Sequence, residues 1–127
     1  MHSYILQDWT TIRGAASVNV TQGESGWLDL APYQDVLFWI DVREFTPPTG
    51  GAYPTIVFQT APIKEDGLFQ NMMTPIGLNA VPTNPTVVRL TTSGTPLARY
   101  LRWQLAGPAS TWDATFRVLI AANALGL

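Results

Sequence analysis

Cysteine is absent from the 127-residue chain, which removes disulfides, thiolate metal sites and cysteine nucleophiles from consideration. Histidine occurs once, as His2. A general base beside a fraying terminus is not held in register, so no serine-type triad is expected. Charge is also scarce, at 13 % of residues against roughly 25 % in typical globular chains. The net charge of −2 and a pI near 5.1 leave no electrostatic footprint for nucleic acid. No segment approaches the ~18 consecutive apolar residues that span a bilayer. The N-terminus lacks a basic start followed by an apolar stretch, so it does not read as a secretory signal. A phosphate loop, a dinucleotide fingerprint and an Asp-rich calcium loop are missing as well. No metal, no cofactor and no catalytic residues are therefore expected.

What the chain does have is apolar and aromatic content: 46 % hydrophobic residues and five tryptophans. Its cations are six arginines against the single Lys64. Interface cores are likewise poor in charge and enriched in aromatics and arginine. A well-filled core in a protein from a GC-rich genome would look similar, and composition alone does not separate the two readings.

Apolar residues recur with a period of two between turn formers, which predicts strands. Extended runs are read near Tyr4–Thr10, Ala16–Thr21 and Trp27–Leu30, with a turn over Gln22–Gly26. Val36–Arg43 is the clearest strand. Val36, Phe38, Ile40 and Val42 form one wholly apolar face. Leu37, Trp39, Asp41 and Arg43 form a second face that starts apolar and ends charged, as in a strand central to its sheet. Further strands are read at Thr55–Thr60, at Thr86–Thr92 with Val88 and Leu90 inward, at Arg99–Leu105 with Leu101, Trp103 and Leu105 inward, and at Ala114–Ala122 with Phe116, Val118 and Ile120 inward. Thr46–Gly51 and Thr74–Pro85 are proline-rich connectors. Lys64–Gly67 is a turn, and Leu68–Met73 is a short helical turn or an extended plug closing one end. Roughly eight or nine short strands, with turn signals every ~8–12 residues and no long helix, predict an all-β fold. The expected architecture is a two-sheet antiparallel β-sandwich, as a jelly roll, because long connectors suit Greek-key crossings. One domain covers residues 1–127, with short arms at about residues 1–10 and 122–127.

Asp35, Asp41 and Glu44 lie close enough in sequence to raise the question of a glycosidase pair. Asp41 sits mid-strand among large apolar residues, so pairing with Arg43 or a cross-strand arginine is the better account. Binding has more to recommend it than catalysis. Trp27, Tyr33, Tyr53 and Trp112 stand beside turns and suit stacking on sugar rings, while capping the ends of the core is the better account of Trp27 and Trp112.

Pro96-Leu97-Ala98-Arg99-Tyr100-Leu101-Arg102-Trp103, followed by Thr115-Phe116-Arg117-Val118, resembles the penultimate strands of discoidin-like jelly rolls, without that family's flanking cysteines. The resemblance implies a fold and no binding residues. The chain as a whole is short, free of cysteine, poor in charge and rich in Thr, Pro and Gly. In this it resembles the small β-sandwich structural proteins of tailed bacteriophage virions, such as head decoration and minor capsid proteins. That resemblance implies a non-enzymatic assembly protein whose partners are copies of itself, as symmetric oligomers, and a major shell protein. The residues expected at the interface are Tyr4, Ile5, Leu6, Tyr100, Arg102, Leu125 and Leu127. The alternative is a carbohydrate- or surface-binding module that takes a glycan through Trp27, Tyr33, Tyr53 and Trp112.

Overall fold

The computed structural model of the chain describes residues 2–46, 54–78, 86–89, 97–107 and 111–124, of which 35, 44–46, 86–89 and 124 are described by backbone alone. In chain order the strands are β1 (His2–Gly14), β2 (Val20–Thr21), β3 (Leu28–Asp29), β4 (Tyr33–Thr46), β5 (Thr55–Ala61), β6 (Gln70–Asn71), β7 (Ile76–Gly77), β8 (Thr86–Arg89), β9 (Tyr100–Ala106) and β10 (Trp112–Ala124). Single 3-10 turns at Glu24–Gly26 and Asp66–Leu68 interrupt them. All pairings are antiparallel. One sheet has the order β1-β10-β4-β8. The other has β2-β9-β5-β6, with β3 also on β9 and β7 also on β5. The fold is an all-β sandwich of two antiparallel sheets. Apart from the stretch β5-β6-β7 and the pair β2-β3, each step along the chain crosses from one sheet to the other.

Alternation sets which residues go between the layers. On β4, Val36, Phe38, Ile40 and Val42 are all at most 2 % exposed, as their uninterrupted apolar parity requires. Leu101, Trp103 and Leu105 of β9 and Phe116, Val118 and Ile120 of β10 complete this interior with Ile56 and Phe58 of β5. Phe38 stacks on Phe58 from the opposite sheet with centroids 3.9 Å apart, and Trp103 meets Phe116 edge-on at 5.3 Å. Aromatic pairs of this kind contribute about 0.5–1.5 kcal/mol beyond the area they bury. One polar residue also ties the layers. Buried Gln22 donates from Nε2 to the Leu6 carbonyl at 2.7 Å and accepts at Oε1 from the Trp103 amide at 3.3 Å. The Trp103 indole N–H in turn donates to Gln7 Oε1 at 3.1 Å.

Several elements differ in extent from the sequence expectation. The run read near Tyr4–Thr10 is part of a 13-residue strand, and His2 to Ile5 pair with Ala122 to Leu119 of β10 in the same chain. Of Ala16–Thr21 only Val20–Thr21 is strand. The central strand extends to 14 residues, because Tyr33 and Thr46 both find partners on β10. Met72 and Met73 join the core, at 0 % and 6 % exposure, although Leu68–Met73 contains only a two-residue strand. The inward placement of Val88 and Leu90 lies outside the described side chains.

Candidate functional site

The two sheets turn very different outer faces to the surroundings. On the β2-β9-β5-β6 sheet the outward residues carry their own cover. Val57, Gln59, Ala61 and Arg102 all belong to the parity opposite the core, yet they are 6 %, 8 %, 0 % and 4 % exposed. Arg102 explains much of this. Its guanidinium lies 4.0 Å from the Phe69 ring centroid and 5.0 Å from that of Trp27, and the two rings meet edge-on at 4.8 Å. Its Nε donates to Gln59 Oε1 at 2.8 Å, and Nη1 pairs with Asp66. The arginine thus fastens the segments around both 3-10 turns over the sheet. Beside it runs an uncharged ladder. Gln59 Nε2 donates to Asn71 Oδ1 at 2.9 Å and to Gln104 Oε1 at 3.3 Å, and Gln104 Nε2 donates to Thr21 Oγ1 at 2.9 Å. This ladder crosses β6, β5, β9 and β2, and it satisfies its polar groups internally.

The outer face of the β1-β10-β4-β8 sheet is partly exposed among the described residues. Cross-strand register sets Ile5, Leu119 and Trp39 side by side, with Ser3, Ala121 and Leu37 in the next outward row. Ile5 is 55 % exposed, and Leu37, Trp39 and Leu119 are half-buried. One outward step in the other direction, Arg117 pairs in register with Asp41. Here β1 has two register shifts, between Ile5 and Gln7 and between Gln7 and Thr10. Trp9 falls in the second of these and lies on the same face. The guanidinium groups of Arg43 and Arg117 lie 5.0 and 4.9 Å from its ring centroid. Both arginines also face the Asp41 carboxylate, at 3.6 and 3.3 Å. Asp41 is 1 % exposed, and neither oxygen accepts a hydrogen bond. The carboxylate is held by charge alone, as the sequence expectation of pairing with Arg43 or a cross-strand arginine anticipated. It is closed off beneath the arginines.

The residues expected at an interface are spread over this framework. Ile5 lies on the open face. Tyr4, 37 % exposed, lies at the end of the same sheet, where its hydroxyl hydrogen-bonds that of Tyr33. That bond raises the Tyr33 phenol above its ordinary pKa. Leu6 is core at 2 % exposure, and Arg102 is the internal fastener already described. Tyr100 is half-buried, with Arg99 over its ring at 5.1 Å. Leu125 and Leu127 lie outside the described residues.

Of the four aromatic residues considered for a glycan, three are described, and they are held in different settings. Trp27 has Arg102 over its ring and gives its indole N–H to the Gln22 carbonyl at 2.8 Å. Trp112 is 4 % exposed, on the backbone of Gly14. Tyr33 pairs with Ala124 at the far end of β10 from Trp112, twelve residues and about 40 Å away at the strand rise. Tyr53 lies outside the described residues. Near Trp112 there is a cavity of about 330 Å³ bordered by Arg13, Gly14, Thr111, Trp112 and Asp113, and the buried Trp112 indole nitrogen has no hydrogen-bond partner among the described residues. Among the described residues no group of three His, Asp or Glu side chains is placed to hold a metal.

Sequence reasoning missed Trp9, Trp39 and Leu119 as a surface set. The signal existed for Trp39, since the second parity of β4 begins apolar. Trp9 reaches the face through the register shifts of β1, which alternation does not encode. Comparison with family models, with curated proteins and with solved structures finds no match.

Proposed function

We propose that the protein is a non-enzymatic structural protein that assembles through the open outer face of the β1-β10-β4-β8 sheet, and that the setting is a virion shell or its decoration layer. The contrast between the two outer faces carries the proposal. The chain roofs one sheet with its own turns and buries Arg102 to do so, but it leaves Ile5, Leu119, Trp39 and Leu37 in adjacent cross-strand positions on the other. Contiguous apolar surface of this kind marks interaction sites, and a chain with 13 % charged residues has little else to keep such a face in water. Strand order supports the same reading. If β2 with β3 and β6 with β7 are each taken as one interrupted run, eight runs form two sheets of four. Their orders are first-eighth-third-sixth and second-seventh-fourth-fifth. We take this as a jelly roll, an architecture shared by viral capsid and lectin domains.

The test is mass photometry or light scattering on the purified chain across a range of concentrations. A defined oligomer is expected, and Trp39→Lys is expected to reduce it to monomers with an unchanged far-UV circular dichroism spectrum. A chain that stays monomeric at high concentration overturns the proposal.

A further inference from the structure

Two strands break register at the same level of this sheet, one on each side of β10. On β4, Glu44 pairs with Thr115 and Val42 with Phe116, so Arg43 is inserted without a partner of its own. On β1, Gln7 pairs with Val118 and Thr10 with Phe116, so Asp8 and Trp9 together face the single step at Arg117. A bulge re-aims a side chain and is over-represented beside functional sites. Both bulges here flank Arg117, which stands between them on β10. The Arg43 and Arg117 guanidiniums lie 5.0 and 4.9 Å from the Trp9 ring centroid. Arg43 Nη2 and Arg117 Nε also approach one and the same oxygen, Asp41 Oδ2, at 3.6 and 3.3 Å. Two contacts on one oxygen keep those nitrogens within about 7 Å of each other, a gap that one tetrahedral oxyanion closes with two charge-assisted bonds of about 2.8 Å.

Charge points the same way. Two cations share one carboxylate, and the carboxylate is the buried member: Asp41 is 1 % exposed, against 62 % for Arg43 and 35 % for Arg117. The cluster thus turns an excess of positive charge toward the water. Asp8 is engaged locally, where it accepts from the Trp9 amide at 2.8 Å. Guanidiniums recognise phosphate-type groups through a fixed fork of donors, and ordering two long side chains in advance removes a cost of binding. Trp9 and Asp41 do that ordering here. We propose that Arg43 and Arg117, aligned on Trp9, form a site for one phosphate-type oxyanion. A single small anion suits it, because a polyanion needs many more cations than two and the chain carries a net charge of −2. The site is complete within one chain, so it stands apart from the assembly reading above.

The test is a titration of the intact chain with inorganic phosphate, followed through the arginine Nε–H signals in proton–nitrogen correlation spectra. Sodium chloride holds the ionic strength constant near neutral pH. Saturable shifts of Arg43 and Arg117 are expected with Arg13 and Arg99 unmoved, since altered screening alone would reach all four. Arg43→Met leaves Arg117 on Asp41 and is first checked for wild-type circular dichroism. It is expected to weaken phosphate binding at least about tenfold, Arg43→Lys to recover part of that loss, and Arg13→Met to change nothing. Glycerol phosphate is titrated in parallel. Equal affinities show that the oxyanion alone is recognised, and tighter binding of the ester shows that its carrier is held as well; either supports the site. No saturation in the wild type, an equal response from every arginine, or unchanged affinity in Arg43→Met overturns it. So does binding that emerges only in Glu44→Gln, because Glu44, described by backbone alone, would then be the arginines' own partner.

Discussion

Asp41 and its two arginines form an ion cluster in which only one member lacks access to water, and that asymmetry makes a quantitative prediction. At 3.3 and 3.6 Å each pair is worth about 5 kcal/mol before desolvation at an effective dielectric near 20. Burial of the carboxylate costs several kcal/mol in return. Removal of an arginine leaves a charge that cannot leave the protein. Removal of the carboxylate leaves two cations already 62 % and 35 % exposed, free to turn toward solvent. Arg117→Met is therefore expected to destabilise the fold by about 2–3 kcal/mol, with Arg43 still in place. This includes about 0.5–1 kcal/mol for the lost contact with Trp9. Arg43→Met with Arg117→Met should cost about 3–5 kcal/mol, the usual loss when a buried charge is stripped of its partners. Asp41→Leu should stay within about 1 kcal/mol of wild type. Urea unfolding followed by circular dichroism measures all three, at a protein concentration where light scattering shows one species throughout. If Asp41→Leu costs as much as Arg117→Met or more, the carboxylate is not the trapped member and the reasoning fails.

Two further outcomes follow from single positions. An added Cβ on Gly14 would lie 2.0 Å from Cε2 of Trp112, whereas one on Gly23 meets nothing within 4 Å. Gly14→Ala is expected to cost about 1–3 kcal/mol through overpacking with a shift in tryptophan emission, and Gly23→Ala, at φ −61° and ψ 144°, to be neutral or stabilising by up to about 1 kcal/mol. Equal effects in chemical unfolding would contradict the packing of Trp112 on Gly14. Arg99 Nε and Nη2 each donate to the Asp29 carboxylate at 3.0 Å, which holds that carboxyl below its usual pKa. A lowered folded-state pKa means that the pair's stabilisation is present above the unfolded value of about 3.9 and is lost as pH falls through the folded value. Wild type and Asp29→Asn should thus differ in melting temperature near neutral pH and converge under acid. The difference should be small and should shrink in concentrated salt, because both side chains are about half exposed.

How much of this was legible beforehand depends on distance along the chain. The inner faces of β4, β9 and β10 could be read directly, because a period of two with one side buried fixes which residues go inward. The pairing of Asp41 was legible for the same reason, since its neighbours on the strand are large and apolar. Arg102 was assigned to the outward parity, and that is where it points. Its burial depends on Trp27 and Phe69, which lie 75 and 33 positions away, and no local pattern brings them over the sheet. An apolar N-terminal run reads alike as an arm or as an edge strand. Pairing of His2 to Gly14 with β10 makes it a strand here, and the register shifts that carry Trp9 to the open face leave no mark in the composition.

The position of the last two strands governs when the protein can exist at all. β9 lies between β2 or β3 and β5, and β10 between β1 and β4, so both are interior members that their neighbours must wait for. During synthesis everything up to β8 emerges as half-sheets with unpaired edges. The layers can close only after residues 100–124 have left the ribosome. Loss of β9 and β10 would therefore take an interior strand from each sheet and leave β1 and β2 without their partners.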